Sequence, residues 1–458
     1  MRRSNLILAA VSTLTLAACG GSSMKSASEP AGMGATAADA PGYPQAAPPV
    51  AFGSDASRGE APGAMPVAAA TAGAMVEAKS MPVQIQAQGV RAGEWDDNAN
   101  YRDFLGYIQK ASTLGIERMD VANRRFVVVT DKDGNGVPNC KVTITDSTSQ
   151  KSATLTTAAS GRAVLFPKLL GFGESLSAST TCLSQNATTA SFDTKDADGV
   201  VQLKVPVARP DVSKPQLDVV FVLDTTGSMS EEIGGVKATL KTVLSKLDPS
   251  VQIRVGLVEY RDRTDSYITK VYPLTSDIKS LSTSIAGLSA DGGGDTPEDV
   301  NSGLNVALNQ MQWNGKAVAR LAFLIADAPP HLDYQDSVSY GTSAKKASEK
   351  GVKIFTVAAS GMDATGQAAF RQIAQVTGGT EMFVLRGGAG PQSTGGGDPT
   401  SSCGATHENY SSGNLDQLIV GKINLEVTSL KADPMRIPGL GKDENAKACS
   451  DKVLIIAR

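Results

Sequence analysis

LDVVFVLDTTGSMS, residues 217–230, is the stretch on which the fold turns. Leu217–Leu223 is a nearly continuous apolar run, the signature of a parallel strand buried on both faces. It breaks abruptly into Asp224-Thr225-Thr226-Gly227-Ser228-Met229-Ser230, small and oxygen-bearing. Met229, Ile233, Val236, Leu240, Leu244 and Leu247 then recur at helical spacing, so the spacing predicts a helix behind the loop. Strand, polar loop and helix form the first half of a strand–helix–strand unit.

Downstream the pattern repeats. Val251–Val258 reads as a strand, Val300–Met311 as a helix, Leu321–Ala326 (LAFLIA) as a strand and Val352–Ala358 as another. Phe370 and Ile373 mark a further helix, Met382–Leu385 a strand and Leu415–Val427 a last helix. Alternation of this kind predicts an α/β fold, an open parallel sheet covered on both faces. Such sheets bind ligands outside the carboxyl ends of their strands. Three loops fall there: 224–230, the segment Asp291-Gly-Gly-Gly-Asp295-Thr296-Pro297-Glu298-Asp299, and Asp327-Ala328-Pro329-Pro330-His331. Asp224 and Asp327 bring carboxylates, and Thr226, Ser228 and Thr296 bring neutral oxygens. Magnesium takes about six oxygens in near-octahedral geometry and usually keeps some waters. The donor set suits such a hard cation. Taken one at a time, Asp224 is also a helix cap, Thr226 and Ser228 turn residues, and Asp327 a loop acid; their order at three strand ends outweighs those readings.

The spacing Asp224-x-Thr226-x-Ser228, then Thr296, then Asp327 resembles the metal-ion-dependent adhesion site of von Willebrand factor type A domains. LVEYRD, GGGDTPEDV and LIADAPPH are similar to members of that family, and the resemblance covers roughly Leu217–Val427. It implies a Rossmann-like parallel sheet and a bound Mg2+, with Mn2+ or Ca2+ as alternatives. It implies that Thr226, Ser228 and Thr296 bind the ion directly, that Asp224 and Asp327 act mainly through water, and that a partner's carboxylate completes the shell. Thr226 stands where serine is commoner. Asp295 competes with Thr296, and Thr296 is preferred; were Asp295 to bind directly, the ion would be more neutralised and its pull on an acidic partner would fall.

Preceding this region, residues 120–208 switch to period two. Arg125–Val129 and Lys141–Thr145 read as strands around the turn DKDGNGVPN, and TLTTAASGRAVLFPKL as strand, turn and strand. The expectation is a small antiparallel β-sandwich, similar to carboxypeptidase regulatory-like and immunoglobulin-like modules. Asp131, Asp133 and Asn135 open like an EF-hand loop, but its twelfth position is Val142 instead of the required bidentate glutamate; a Gly-rich hairpin turn is preferred. Residues 86–118 read as a capped helix segment docked on a neighbouring domain, with Tyr101, Phe104, Leu105 and Ile108 on one stripe and Asp96, Asp97 and Asn98 positioned to cap it.

At the amino terminus Arg2 and Arg3 precede an apolar stretch, Leu6–Leu16, and the sequence Leu16-Ala17-Ala18-Cys19-Gly20. Residues 1–18 read as a secretory signal peptide, since the stretch falls short of the roughly 20 residues needed to span a bilayer. Leu-Ala-Ala-Cys resembles a bacterial lipobox, which implies cleavage before Cys19 and its acylation. Several acyl chains anchor stably where one is marginal. Gly20, not aspartate, implies by that resemblance the outer membrane if the cell is Gram-negative. Residues 19–85, rich in Ala, Gly, Pro and Ser, read as a tether. The other cysteines, Cys140, Cys182, Cys403 and Cys449, allow three pairings. Cys140–Cys182 and Cys403–Cys449 are preferred, each within one region of an exported chain. The 386–403 stretch reads as a surface insertion, residues 429–458 as a carboxy-terminal extension, and Lys452–Ala457 as a terminal strand.

A net charge of −3 without a basic run gives no electrostatic footprint for nucleic acid. Two histidines, His331 and His407, argue against a histidine-rich metal site, and Ser228 lacks the G-x-S-x-G elbow of a hydrolase. The expectation is a non-enzymatic, metal-dependent binding module for a protein or surface ligand offering a carboxylate. An assembly scaffold in the envelope is the alternative, and a hydrolase ranks third.

Overall fold

The computed structural model describes residues 90–384 and 410–440. It begins with strand β1 (Arg91–Trp95) and helix α1 (Tyr101–Lys110). A strand-rich region follows: β2 (Arg124–Thr130), β3 (Lys141–Asp146), β4 (Ser152–Thr156), β5 (Arg162–Leu165), β6 (Ser175–Cys182), β7 (Gln185–Asn186), β8 (Ala190–Asp193) and β9 (Asp198–Lys204). Then come β10 (Gln216–Asp224), α2 (Ile233–Ser245), β11 (Gln252–Tyr260), β12 (Thr269–Thr275), α3 (Ile278–Ala286) and α4 (Val300–Asn309). The last are β13 (Ala319–Ala326), α5 (Tyr340–Lys350), β14 (Val352–Ala358), α6 (Ala364–Thr377), β15 (Glu381–Val384), β16 (Tyr410–Asn414) and α7 (Leu415–Ser429).

The main sheet runs β12-β11-β10-β13-β14-β15-β1-β16. Strands β11, β10, β13, β14 and β15 are parallel; β12 and β1 run against their neighbours. The α/β reading therefore holds, and the apolar run explains why. Val220 and Val222 enter one core with residues of α1, α4, α5 and α6. Val219, Phe221 and Leu223 enter the other, with residues of α2, α3 and α7. Consecutive residues of β10 point to opposite faces, and both faces are covered, so residues 219–223 are all apolar, while buried Asp218 is held by Arg254. Each such apolar side chain contributes roughly 1.5–3 kcal/mol when buried.

Strand β1 corrects the sequence reading of residues 86–118. They hold a strand as well as a helix: β1 pairs antiparallel with β15 on one side and β16 on the other. The five residues RAGEW carry no period-two pattern because four of them are buried, and Gly93 is required by the Phe383 ring, whose Cζ would lie 2.4 Å from a Cβ there. Of the predicted stripe on α1, Tyr101, Phe104 and Ile108 are buried and Leu105 only partly, with Tyr107 buried in addition. The α1 cap position is Asn100, with no side-chain cap bond. Asp96 instead accepts from the amides of Asn98 and Ala99 (3.0 and 2.9 Å), and Asp97 pairs with buried Arg371.

The strand-rich region is inserted between α1 and β10. It holds two sheets, β5-β2-β9 and one built on β4-β3-β6-β7 with β8 beside β6. Val127 and Val129 face Val142, Ile144, Leu176 and Ala178 across a shared core. The expectation of a wholly antiparallel module needs one correction, since β2 and β9 are parallel. The Asp131 turn folds the chain back in a short hairpin, Thr130 bridging antiparallel to Gly136 and the Val137 amide donating to the Val129 carbonyl (2.8 Å), but it does not pair β2 with β3, which join different sheets. Asp131 Oδ1 accepts from the amides of Asp133 and Asn135 (2.9 and 2.8 Å), closing a turn that passes the chain from one sheet to the other. Cys140, the residue before β3, and Cys182, the last of neighbouring β6, form a disulfide with Cα atoms 5.4 Å apart.

Sequence reading missed edge strand β12, helices α3 and α5, and β16. Helix α5 (YGTSAKKASEK) is polar, its buried residues small apart from Tyr340, so the apolar stripe is faint. Cys19, Cys403, Cys449, His407, the 386–403 insertion and Lys452–Ala457 lie outside the described residues.

Candidate metal centre

Strand β10 ends at Asp224, β13 immediately before Asp327, and the two strands are adjacent and parallel. Their following loops therefore meet at one sheet edge. Asp224 is fully buried, Asp327 nearly so, and Ser228 exposed. Asp224 Oδ1 accepts from the Thr226 amide (2.9 Å) and the Thr226 hydroxyl (2.7 Å), folding the loop back onto the strand end. The Tyr260 hydroxyl donates to Asp224 Oδ2 at 3.2 Å. Ser228 Oγ donates to Asp327 Oδ1 at 3.0 Å, and Thr226 Oγ1 lies 3.1 Å from Ser228 Oγ. Each hydroxyl has a single proton. Each is therefore shared between a carboxylate and the neighbouring hydroxyl, and either oxygen can be the donor between Thr226 and Ser228.

The 291–299 loop closes over this pair. The Gly227 amide donates to the Gly292 carbonyl at 3.0 Å. Gly292 has φ +80°, and a Cβ there would lie 2.2 Å from Asp265 Oδ1. The Gly293 amide donates to both Asp265 oxygens (3.0 and 2.9 Å). A Cβ on Gly293 would sit 3.0 Å from Glu298 Oε1 and 3.4 Å from Thr226 Cβ, so these glycines let the loop approach. Glu298 is buried at 2% exposure, and its Oε2 has no hydrogen-bond partner. Its backbone is tied to the third loop, its amide donating to the Pro329 carbonyl (3.0 Å) and its carbonyl accepting from the His331 amide (3.1 Å).

Burial pushes the Asp224 carboxyl up to about 7, against the Thr226 hydrogen bonds, with Asp327 adding to the rise. Burial, then Asp224 and Asp262, push Glu298 up to about 8. Burial also raises Asp327. Among the described residues no lysine or arginine forms an ion pair with any of the three. An oxygen-rich cluster of buried acids without a base fits a divalent cation, whose charge would stabilise all three carboxylates. The fit depends on hydroxyls as well as acids: among the described residues no group of three His, Cys, Asp or Glu side chains is arranged to hold a metal alone.

Of the residues singled out from sequence, Asp224, Thr226, Ser228 and Asp327 form one hydrogen-bonded chain. Thr296 and Asp295 are exposed, and Thr296 makes no hydrogen bond with that chain. Asp299 caps α4 through the Ser302 amide (2.9 Å). Glu298, Tyr260 and Asp265 were missed. Asp299 followed at the third position by Ser302 marks the helix start, which identifies Glu298 as the last residue before it but not the direction of its side chain.

His331 lies beside the cluster. Its Nδ1 is 2.7 Å from Asp333 and its Nε2 3.4 Å from Asp262, and its ring stacks on Tyr334 at 3.9 Å.

The family model of the von Willebrand factor type A domain matches residues 218–387. Over 116 residues the chain is 34% identical to a putative ariadne-like RING finger protein of Acanthamoeba polyphaga mimivirus, a match that takes in 25% of this chain and 11% of that protein. The chain thus spans about a tenth of that curated relative's length. Among solved structures, proximal thread matrix protein 1 from the mussel byssus is similar at 16% identity, over 36% of this chain and 40% of that one, with a TM-score of 0.30. The same protein with a zinc occupied MIDAS motif gives 16%, 36%, 40% and 0.29. The conserved hypothetical protein BatB from Bacteroides thetaiotaomicron gives 14% identity, 47% of this chain, 98% of that one and 0.32. With its mostly parallel sheet, flanking helices and matched residues 218–387, the chain carries a von Willebrand factor type A domain, preceded by a strand-rich region.

Proposed function

We propose that this domain is a metal-dependent protein-binding module, for adhesion or assembly, displayed on the cell envelope through a lipidated Cys19. One observation carries the reading: Asp224, Thr226, Ser228 and Asp327 converge at the strand ends as buried acids and facing hydroxyls, with no base among them. Thr226 and Ser228 hold the ion directly, Asp224 and Asp327 support it, and Thr296 or Asp295 stands on the covering loop. The ion supplies residual positive charge at the surface, where Ser228 is exposed. An acidic group of a partner is then attracted, and the chain's own residues hold the ion at fixed distance from the sheet edge.

The hydrolase alternative finds no support in the site. Ser228 donates to Asp327, while the ring nitrogens of His331 face Asp262 and Asp333, so serine and imidazole are not paired as nucleophilic catalysis requires. An assembly role in an envelope complex uses the same site and differs only in the partner. Envelope display rests on the lipobox resemblance, and among the described residues no helix is long and apolar enough to cross a membrane.

The test is calorimetric titration of Mg2+ and Mn2+ into the full chain and its Asp224→Ala variant. Binding by the parent and none by the variant is expected. A parent that binds neither ion sinks the reading.

A further inference from the structure

We propose that Glu298, and neither Thr296 nor Asp295, is the residue through which the 291–299 loop grips the ion, so that the site is closed by the chain's own carboxylate. This rests on the metal reading above and specifies its ligand set.

Three observations converge. Glu298 is 2% exposed, yet its Oε2 has no hydrogen-bond partner. A buried polar atom left unpaired is costly, and the great majority in folded proteins find partners. Second, its carboxyl is directed at the cluster: Oε1 and Thr226 Cβ both border the space above Gly293. Third, the backbone at Glu298 is held on both sides by the loop that follows Asp327, through the Pro329 carbonyl and the His331 amide. That fixes the glutamate with respect to Asp327, the opposite wall of the site. The competing residues lack these features. Thr296 and Asp295 are exposed, and Asp299 is committed to capping α4. The Thr226 side chain offers its carboxyl a hydrogen bond, but no arginine or lysine among the described residues forms an ion pair with Glu298 and Oε2 is left without a partner, an opening an ion would fill.

The consequence is electrostatic. A threonine ligand leaves the full charge of the ion to be balanced by second-layer aspartates and by a partner. A glutamate ligand offsets half of it from within. The ion is then retained without a partner, and its pull on an acidic group weakens.

The experiment is calorimetric titration of Mn2+ into the full-length chain in detergent. Parent, Thr296→Ala, Glu298→Gln, Glu298→Asp and Asp224→Ala are compared, with a thermal melt of each as the folding check. Affinity unchanged in Thr296→Ala, weaker by about tenfold or more in Glu298→Gln, and partly restored in Glu298→Asp is expected. Because Thr296 is exposed, its variant folds whatever its role, and a loss of affinity there overturns the assignment even if Glu298→Gln fails to fold. Undiminished affinity in a folded Glu298→Gln overturns it too. Loss in Asp224→Ala together with either result shows that the metal reading stands and the ligand assignment alone has failed. Absence of binding in the parent removes both.

Discussion

Two sets of buried acids sit within the same α/β domain, and they are treated differently. On the side where β1 enters the sheet, Asp97 and Glu94 have bases. Arg371 donates from Nε and Nη2 to the two oxygens of Asp97 (2.9 and 2.5 Å) and lies over the rings of Tyr107 and Trp95. Lys422 pairs with Glu94, which also accepts from Thr380. Burial works against the Arg371 charge, but Asp97 outweighs it, and the guanidinium is held more firmly protonated than in water. At the other set, Asp224, Asp327 and Glu298 have hydroxyls and no base. Arg371 and Lys422 fasten the amino-terminal segment to α6 and α7, while Glu381, fully buried beside them, keeps two oxygens without a hydrogen-bond partner. On the proposed reading the second set takes a cation, and that separates a structural cluster from a binding one.

The largest effect belongs to the matched set. Arg371→Met leaves Asp97 buried without its base and turns that cluster into a copy of the unmatched one, without hydroxyls to receive an ion. A loss of about 3–5 kcal/mol is expected, read from the urea midpoint of the full chain. A loss under about 1 kcal/mol would mean that the buried pair does little, and the contrast between the two sets would collapse.

Next in size is the response of the unmatched set to metal. Ligand binding to the folded state alone stabilises by about 2.7 kcal/mol at a hundredfold excess over Kd. Thermal melts with and without Mg2+, Mn2+ or Ca2+ should show an upward shift in the parent, none in Asp224→Ala and an undiminished shift in Asp97→Asn. Equal shifts in the two variants would show that metal acts elsewhere.

The two sets were unequally legible in the sequence. Asp224, Thr226, Ser228 and Asp327 stand in two short motifs at the ends of apolar runs, so order and spacing located them. The strands β10, β13 and β14 were legible for the same reason: burial on both faces leaves a continuous apolar run. Asp97 and Arg371 are 274 residues apart, and nothing local to either announces the other. Strand β1 was illegible because its place depends on β15 and β16, which reach it across the whole inserted region. Glu298 falls between these cases. Its loop was recognised as part of the site, but three acids and a threonine within five residues left the choice to side-chain direction, which spacing does not contain.

A smaller effect is the response to pH, which has the same direction in both sets, since burial also raises Asp97, to about 6. In the metal-free protein Asp224 is pushed from its ordinary value of 3.8 up to about 7, first by burial. Its folded-state pKa is raised, so the folded protein holds a proton that the unfolded chain releases. Stability of the metal-free protein should therefore fall as pH rises from about 4 to about 7, by at most ~1.4 kcal/mol per pH unit for one group. Glu298, raised to about 8, extends the decline. Metal binding must displace the same protons, so affinity should climb over that range by up to about tenfold per pH unit for each proton released. Titrations of Mn2+ at several pH values between about 6 and 8.5 give the slope. A flat profile would show that these carboxyls are already ionised without metal, and that the cluster is less deprived of positive charge than its burial implies.

The smallest effect concerns the loop that covers the unmatched set. Gly292 and Gly171 both have positive φ, +80° and +67°. A Cβ at Gly171 meets nothing within 4 Å, whereas at Gly292 it would lie 2.2 Å from Asp265 Oδ1. Gly171→Ala, in the strand-rich region, should therefore cost only the backbone penalty, about 1 kcal/mol. Gly292→Ala should cost that and more. It should also weaken metal binding, because Asp265 holds the Gly293 amide and the Gly292 carbonyl holds Gly227 between the two hydroxyl ligands. The informative quantity is the difference between the two variants, in denaturant midpoint and in Mn2+ affinity, since the shared backbone term cancels. Equal costs and an unchanged affinity would mean that Asp265 swings aside freely. The glycines would then be adaptations to a tight turn alone, and the covering loop would have no part in keeping the hydroxyl oxygens in position for the ion.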